Sequence, residues 1–212
     1  MNSVTWDLRY PAAVTFPGMI LWGASTAGPT APPGTYQVRM TVDGRTSTQP
    51  LVVMRNPLYT DVTDADLQEQ FALSMEIRDK VSEANNAVIR IRAIKRDVAD
   101  RLTKSQDARL KGAGDRLTAS LSAVEEEIYQ VRNQSGQDPL NFPIRINNRL
   151  ASLLGIVSAG DGKPIANAVP IFNDLKAELK VQTDRLAQVI GRDLAAFNTE
   201  ARRVGVEPVT GS

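Results

Sequence analysis

Two hydrophobic rhythms divide the chain. Up to about position 56 apolar residues alternate with polar ones, and from Thr63 onward they recur at every third or fourth residue. Ile77, Val81, Ala84, Val88, Ile91, Lys95, Val98 and Leu102 follow one another at alternating steps of four and three. That spacing lines one face of a helix in a heptad-like seam. Leu67, Phe71 and Leu73 extend it backward, so a first helix is expected over 64–104. Thr63 stands where an N-cap belongs, with acidic residues just after it. Lys95 occupies a seam position, from which its ammonium is expected to snorkel into water.

Three more helical stretches follow. Leu110, Ala113, Leu117, Leu121, Val124, Ile128 and Val131 predict a second helix over 106–134, with Gly112 and Gly114 marking a loose turn or a close helix approach. Ile144, Ile146, Leu150, Leu153, Leu154 and Val157 predict a third over 143–158. Phe172, Leu175, Leu179, Leu186, Ile190, Leu194 and Phe197 predict a fourth over 165–203, with Pro170 admissible only in its first turn. The breaks SGQDPLNFP (135–143) and GDGKP (160–164) are rich in Gly and Pro. Short connections favour antiparallel neighbours, hence an up-down-up-down bundle over 64–204. One end of it is expected to be three-stranded, or filled by the 135–143 loop. A linker at 57–63 precedes the bundle, and a flexible tail at 205–212 follows it.

The first 56 residues read differently. Val4, Trp6 and Leu8 alternate with polar residues, and Met19 to Trp22 is a short apolar run between glycines. Tyr36, Val38, Met40 and Val42 form the clearest strand, followed by Asp43-Gly44, a pair suited to a tight hairpin turn. Thr46 to Met54 is the return strand, and Pro50 within it belongs at an edge or a bulge. That makes about four strands, whereas an immunoglobulin-like sandwich closes its core with about seven. The expected fold class is therefore α+β and mostly α: a small partial antiparallel β-sandwich over 1–56, then a long four-helix bundle. An apolar face left open by the missing strands is expected to be covered by the helices or by a second copy of the chain.

Composition narrows the chemistry. The 212 residues include no His and no Cys. The commonest general base, thiolate metal sites and any Ser-His triad are thereby excluded. Neither a phosphate-binding glycine loop nor a nucleophile elbow is present. No catalytic, cofactor-binding or metal-binding residue is assigned, and no cofactor is expected. Asp61, Asp64 and Asp66 lack the glycine and distal glutamate of a calcium loop, and helix capping accounts for them better. The formal charge is +1, so no global field recruits nucleic acid. Locally, Arg92, Arg96, Arg101 and Lys104 gather at one helix corner. With Trp6 and Trp22 they are the candidate interaction surface, although ion pairing and a small core beside Tyr36 explain them more simply. Glu125, Glu126 and Glu127 read as a solvated face. Asp138, Asn141, Asn147 and Asn148 form a polar cluster expected to lock the corner around the 135–143 loop. No apolar run spans a bilayer. MNSVTWD is not a signal peptide, so export would depend on sequence upstream.

VTWDLRYP, FPGMILWG and PPGTYQVRMTVDGRTSTQPLVV together resemble the last strands of an Ig-like module of the flagellar hook-capping type. The continuation, above all QSGQDPLNFPIRINNRL, is similar to the C-terminal region of large bacterial sortilin-type, BNR/Asp-box β-propeller proteins, often labelled glycosyl hydrolases. The resemblance implies an exported parent whose binding and catalytic residues lie on an upstream propeller. This chain would then be a non-catalytic accessory region, a spacer or an oligomerisation module. Its partner would be that propeller or a second copy of itself. A free-standing glycan- or envelope-binding module is the alternative, and a hydrolase in its own right stands behind both.

Overall fold

Thr63 opens the longest element through a capping box. Its hydroxyl accepts the Asp66 N–H at 3.1 Å, and the Asp66 carboxylate accepts the Thr63 N–H at 2.9 Å. The computed structural model describes residues 3–211. Its elements are β1 (Gly34–Val42), β2 (Arg45–Val53), α1 (Asp64–Leu102), α2 (Ala108–Ile128), α3 (Ile146–Val157) and α4 (Ala168–Val189). A π-helical turn (Ile190–Leu194) then joins α4 to α5 (Ala195–Arg203) without leaving helical dihedrals.

The helices form three rods. Asp107 caps α2, its carboxylate accepting the Arg109 and Leu110 N–H groups at 3.0 and 2.9 Å. α2 then descends along the C-terminal half of α1. At the turn Gly114 lies so close that a Cβ there would stand 2.9 Å from the Leu102 side chain. Further down, Ser122 and Glu125 meet Lys95. After the break α3 continues in the same direction, with Asn147 against Asn85 and then Ser158 against Ser74. The 39 residues of α1 are thus faced by the 21 of α2 and the 12 of α3, laid end to end. α4 and α5 return alongside, Arg149 meeting Glu178 and Arg203 meeting Asp107. Seam residues Ile77, Val81, Ala84, Val88, Ile91 and Val98 are buried against Leu117, Leu121, Leu150, Phe172 and Phe197.

The order is therefore up, down, down, up, and the expected up-down-up-down bundle is corrected. The break explains it. The Asp138 carboxylate accepts the Gln134 and Ser135 N–H groups at 2.6 and 2.8 Å, and the Gln130 amide donates to Pro143 C=O at 2.9 Å. The chain closes a local loop on itself and resumes its heading. Those carboxylate bonds hold Asp138 below its ordinary pKa, and helix-capping bonds together with Arg203 do the same for Asp107. Groups with depressed folded pKa values stabilise above the unfolded carboxylate range and lose that contribution as pH falls through the folded value. Thermal scans should show Tm dropping as pH falls below about 4, and Asp107→Asn or Asp138→Asn should flatten that decline.

The expected sandwich is also corrected, because the described residues contain one two-stranded antiparallel sheet, β1 with β2. Residues 4–10 and 19–22 form no strands. Leu8 takes a φ of 62°, and Pro11, Pro17, Pro29, Pro32 and Pro33 cannot donate to a ladder. Residues 8–13 and 26–31 are instead held together by three backbone bonds: Tyr10 to Pro29, Ala13 to Thr26 and Ala31 to Leu8.

This two-legged strap lies on the bundle. On α1, Arg78 donates to Pro11 C=O at 3.0 Å, Ser82 Oγ accepts the Val14 N–H at 3.1 Å, and Asn85 donates to Val14 C=O at 2.6 Å. At the break between α2 and α3, Phe16 meets Tyr129 edge-on at 5.0 Å, and Arg92 stands 4.7 Å over the Phe16 ring. The Tyr129 hydroxyl accepts the Ile20 N–H at 3.1 Å and donates to Gly18 C=O at 3.3 Å. The strap therefore covers the break in the middle rod, where α2 ends at Ile128, short of the expected 134, and leaves Val131 exposed.

Two smaller differences complete the fold. Buried residues on the last rod run Leu186, Val189, Leu194, Phe197, and the step of five is the π turn. The tail expected to be flexible is clamped over 205–211. Gly205, at φ 73°, ends the helix in a Schellman motif. Val206 and Val209 are buried, and Asn198 exchanges two hydrogen bonds with Val209 at 2.8 and 2.9 Å. Ser212 lies outside the described residues.

Candidate functional site

β1 and β2 pair in continuous register from Gly34↔Val53 to Val42↔Arg45. Asp43 and Gly44 take φ values of 47° and 75°, the left-handed pair of a two-residue turn whose twist suits a hairpin. Alternation puts Tyr36, Val38, Met40 and Val42 of β1 on one face with Leu51, Val53, Gln49, Ser47 and Arg45 of β2, and Thr35, Gln37, Arg39 and Thr41 on the other with Thr46, Thr48, Pro50 and Val52; the apolar row on the first face is thus carried by β1. Only the root is anchored. Tyr36 donates to Pro32 C=O at 2.7 Å and meets Trp6 edge-on at 5.8 Å. Burial and the adjacent Tyr10 phenol raise the Tyr36 pKa above its ordinary value. Beyond the root the apolar face is bare, with Val38, Met40 and Val42 exposed at 53%, 60% and 54%. The helices do not cover it, contrary to one of the two expected covers.

The sequence-selected tryptophans do not form one platform. Trp6 donates from Nε1 to Arg9 C=O at 2.9 Å beside Tyr36, whereas the Trp22 backbone is held by Asn148 on α3. Both rings are about two-fifths exposed, at 41% and 39%. No ring contact or hydrogen bond joins one tryptophan to the other, or either to the basic corner, among the described residues.

The basic corner is neutralised from within. Arg92 and Lys95 both reach the Glu125 carboxylate, at 2.7 and 3.1 Å. Glu125 is consequently buried, not solvated like its neighbours, and Lys95 turns to it instead of to water. Arg96 pairs with Asp97, Lys104 with Asp100, and Arg101 with both Asp100 and Glu207. An anionic partner would have to displace an internal carboxylate at Arg92, Lys95, Arg96, Arg101 and Lys104.

The polar corner splits in two. Asp138 gathers the loop N–H groups described above, and the exposed Asn141 closes a short 3-10 turn (Asp138–Leu140) by donating its backbone N–H to Asp138 C=O at 2.8 Å. Asn147 and Asn148 face the strap and α1 instead of that loop. Asn148 accepts the Trp22 N–H at 2.6 Å and donates to Trp22 C=O at 3.0 Å, while Asn147 donates to Asn85 Oδ1 at 3.1 Å. Sequence reasoning passed over Asn85, which is fully buried between them. Its signal was a polar side chain next to seam residue Ala84.

Other chemistry is sparse. The described residues contain no group of three acidic side chains able to hold a metal ion, and no helix long and apolar enough to cross a membrane. A pocket of about 280 Å³ opens at the hairpin root between Pro32, Phe71, Ser74 and Ser158. Gln70 at its rim already spends its amide on Val157 and Gly160 carbonyls. The bare hairpin is therefore the feature that internal chemistry leaves unexplained. Comparison with known proteins adds no relative: no family model, no curated protein and no solved structure matches this chain.

Proposed function

We propose that this chain is a non-catalytic accessory region that carries an apolar β-hairpin on a stiff helical support for packing against a partner. One observation carries the reading: Val38, Met40 and Val42 stand in a row on a face that stays exposed among the described residues. A two-stranded ribbon is marginal by itself, and more strands or a packing surface stabilise it. An apolar face of this kind marks an interaction site. The basic corner, by contrast, is internally paired, and the bundle core is filled. The resemblance to the end of sortilin-type propeller proteins supports the same reading, with the upstream part of an exported parent, or a second copy, as the partner.

Met40→Ser should leave the chain almost as stable as before, within about 0.5 kcal/mol, as exposed substitutions do. Urea titration reads this directly. Association is tested by placing the photo-reactive residue benzoyl-phenylalanine at Met40 in the producing cell, with Val181 on the exposed face of α4 as control. A discrete crosslink from position 40 and none from 181 supports the reading. Equal labelling at both positions, or none at 40, contradicts it, as would turnover of a hydrolase substrate by this chain alone.

A further inference from the structure

The two edges of the hairpin are chemically unequal. With Asp43-Gly44 as a two-residue turn, Val42 and Arg45 form the hydrogen-bonded pair that closes it. Alternation then makes Thr41↔Thr46, Arg39↔Thr48, Gln37↔Pro50 and Thr35↔Val52 the non-hydrogen-bonded pairs. The Thr41 and Thr46 hydroxyls, 3.0 Å apart, fit the closer approach of such a pair. Residues in these pairs turn their N–H and C=O groups outward. The outer edge of β2 is therefore interrupted at Pro50, which has no N–H. The outer edge of β1 offers an unbroken row at Thr35, Gln37, Arg39 and Thr41, a template for another strand.

Charge decides what strand. Arg39 is the one charged residue in β1, and no carboxylate pairs with it among the described residues. Antiparallel pairing of β1 with its own copy, centred on Val38 or Arg39, would set the two Arg39 side chains diagonal or directly opposite, where like charges destabilise. A foreign strand with a carboxylate at that position would gain the pairing that a second copy forfeits. Its apolar residues would fall beside Val38, Met40 and Val42 on the same face and contact them as cross-strand neighbours.

We infer that the outer edge of β1 is a β-addition site for an extended polypeptide segment of alternating apolar and polar residues, with an acidic side chain opposite Arg39. This rests on the accessory reading above and names its partner class. Main-chain hydrogen bonds would supply affinity, and the alternating side chains specificity.

The test uses the full 15N-labelled chain and two short fluorescein-labelled peptides that alternate valine with threonine. One carries glutamate at its central polar position and the other lysine. The glutamate peptide should bind, shifting the amide signals of Thr35, Gln37, Arg39 and Thr41. Gln37→Pro deletes one outward N–H, as Pro50 does across the ribbon, and should weaken binding about tenfold or more. Arg39→Glu leaves the backbone untouched and should reverse the preference toward the lysine peptide. The inference is overturned if neither peptide moves those amides, if the shifts fall on Thr46 to Val52, or if Arg39→Glu leaves the preference unchanged. It is also overturned if the β1 amides shift with protein concentration alone, which would make a second copy the occupant. A Met40 crosslink that persists when the peptides fail would sink this edge assignment and leave the accessory reading standing; loss of both would sink both.

Discussion

Phe16→Ala should destabilise the whole bundle by about 3 kcal/mol or more, the cost of removing a buried phenylalanine and leaving a cavity. Phe16 is nearly fully buried, although it lies in a segment without regular secondary structure. Its ring fills the gap where the middle rod breaks between α2 and α3, edge-on to Tyr129 and beneath Arg92. Losing the ring exposes Tyr129 and removes the nearer of the two rings beneath Arg92, which also stands 5.3 Å over Tyr129 and pairs with the buried Glu125. Urea unfolding followed by the helical far-UV signal measures the effect. A β module separate from the bundle would leave that helical transition unmoved.

Asn85→Ala should cost about 1–3 kcal/mol, the cost of an orphaned buried polar group, because it strips the buried Asn147 amide of its partner; the Val14 C=O, on a partly exposed residue, loses its partner as well. Asn85 donates to Val14 C=O at 2.6 Å and accepts from Asn147 Nδ2 at 3.1 Å. Asn147 is itself buried, and its Oδ1 has no protein partner, so it would lose its one side-chain bond. Adding Asn147→Leu should recover part of the loss, since an apolar pair of similar shape leaves one buried group fewer unpaired. Val14 C=O would still be orphaned, so recovery should stay incomplete. The double-mutant cycle isolates the Asn85–Asn147 coupling, and a coupling near zero would contradict this geometry. The same pair fixes the register of α3 against α1 and of the strap against both.

Local pattern was legible in the sequence; direction and tertiary capture were not. The seam from Ile77 to Leu102 specified α1 almost residue by residue, and Asp43-Gly44 specified the hairpin turn. Periodicity carries no heading, so nothing in Leu150, Leu153 and Val157 says that α3 continues the course of α2. Val4, Trp6 and Leu8 keep the strand rhythm, but the prolines nearby remove the donors that a ladder needs. Extended chain was therefore expected to pair with itself, and it binds helix side chains instead. In the candidate site, charge counting saw the cations of α1 and missed that Glu125 and Glu207 answer them, because those partners lie far away in sequence. The apolar row on β1 was visible as alternation. That it stays bare depends on where the helices go, which only the assembled fold determines.

The N-terminal quarter of the chain divides into a strap that belongs to the bundle and a hairpin that does not. Amide hydrogen exchange of the full chain by NMR tests both halves at once. Val14, Ile20 and Trp22 donate to side chains of the bundle and should exchange only near the free energy of global unfolding. The outward amides of Thr35, Gln37, Arg39 and Thr41 should exchange with almost no protection. Fast exchange at Val14, Ile20 and Trp22, or strong protection along the β1 edge in the isolated protein, would contradict that division.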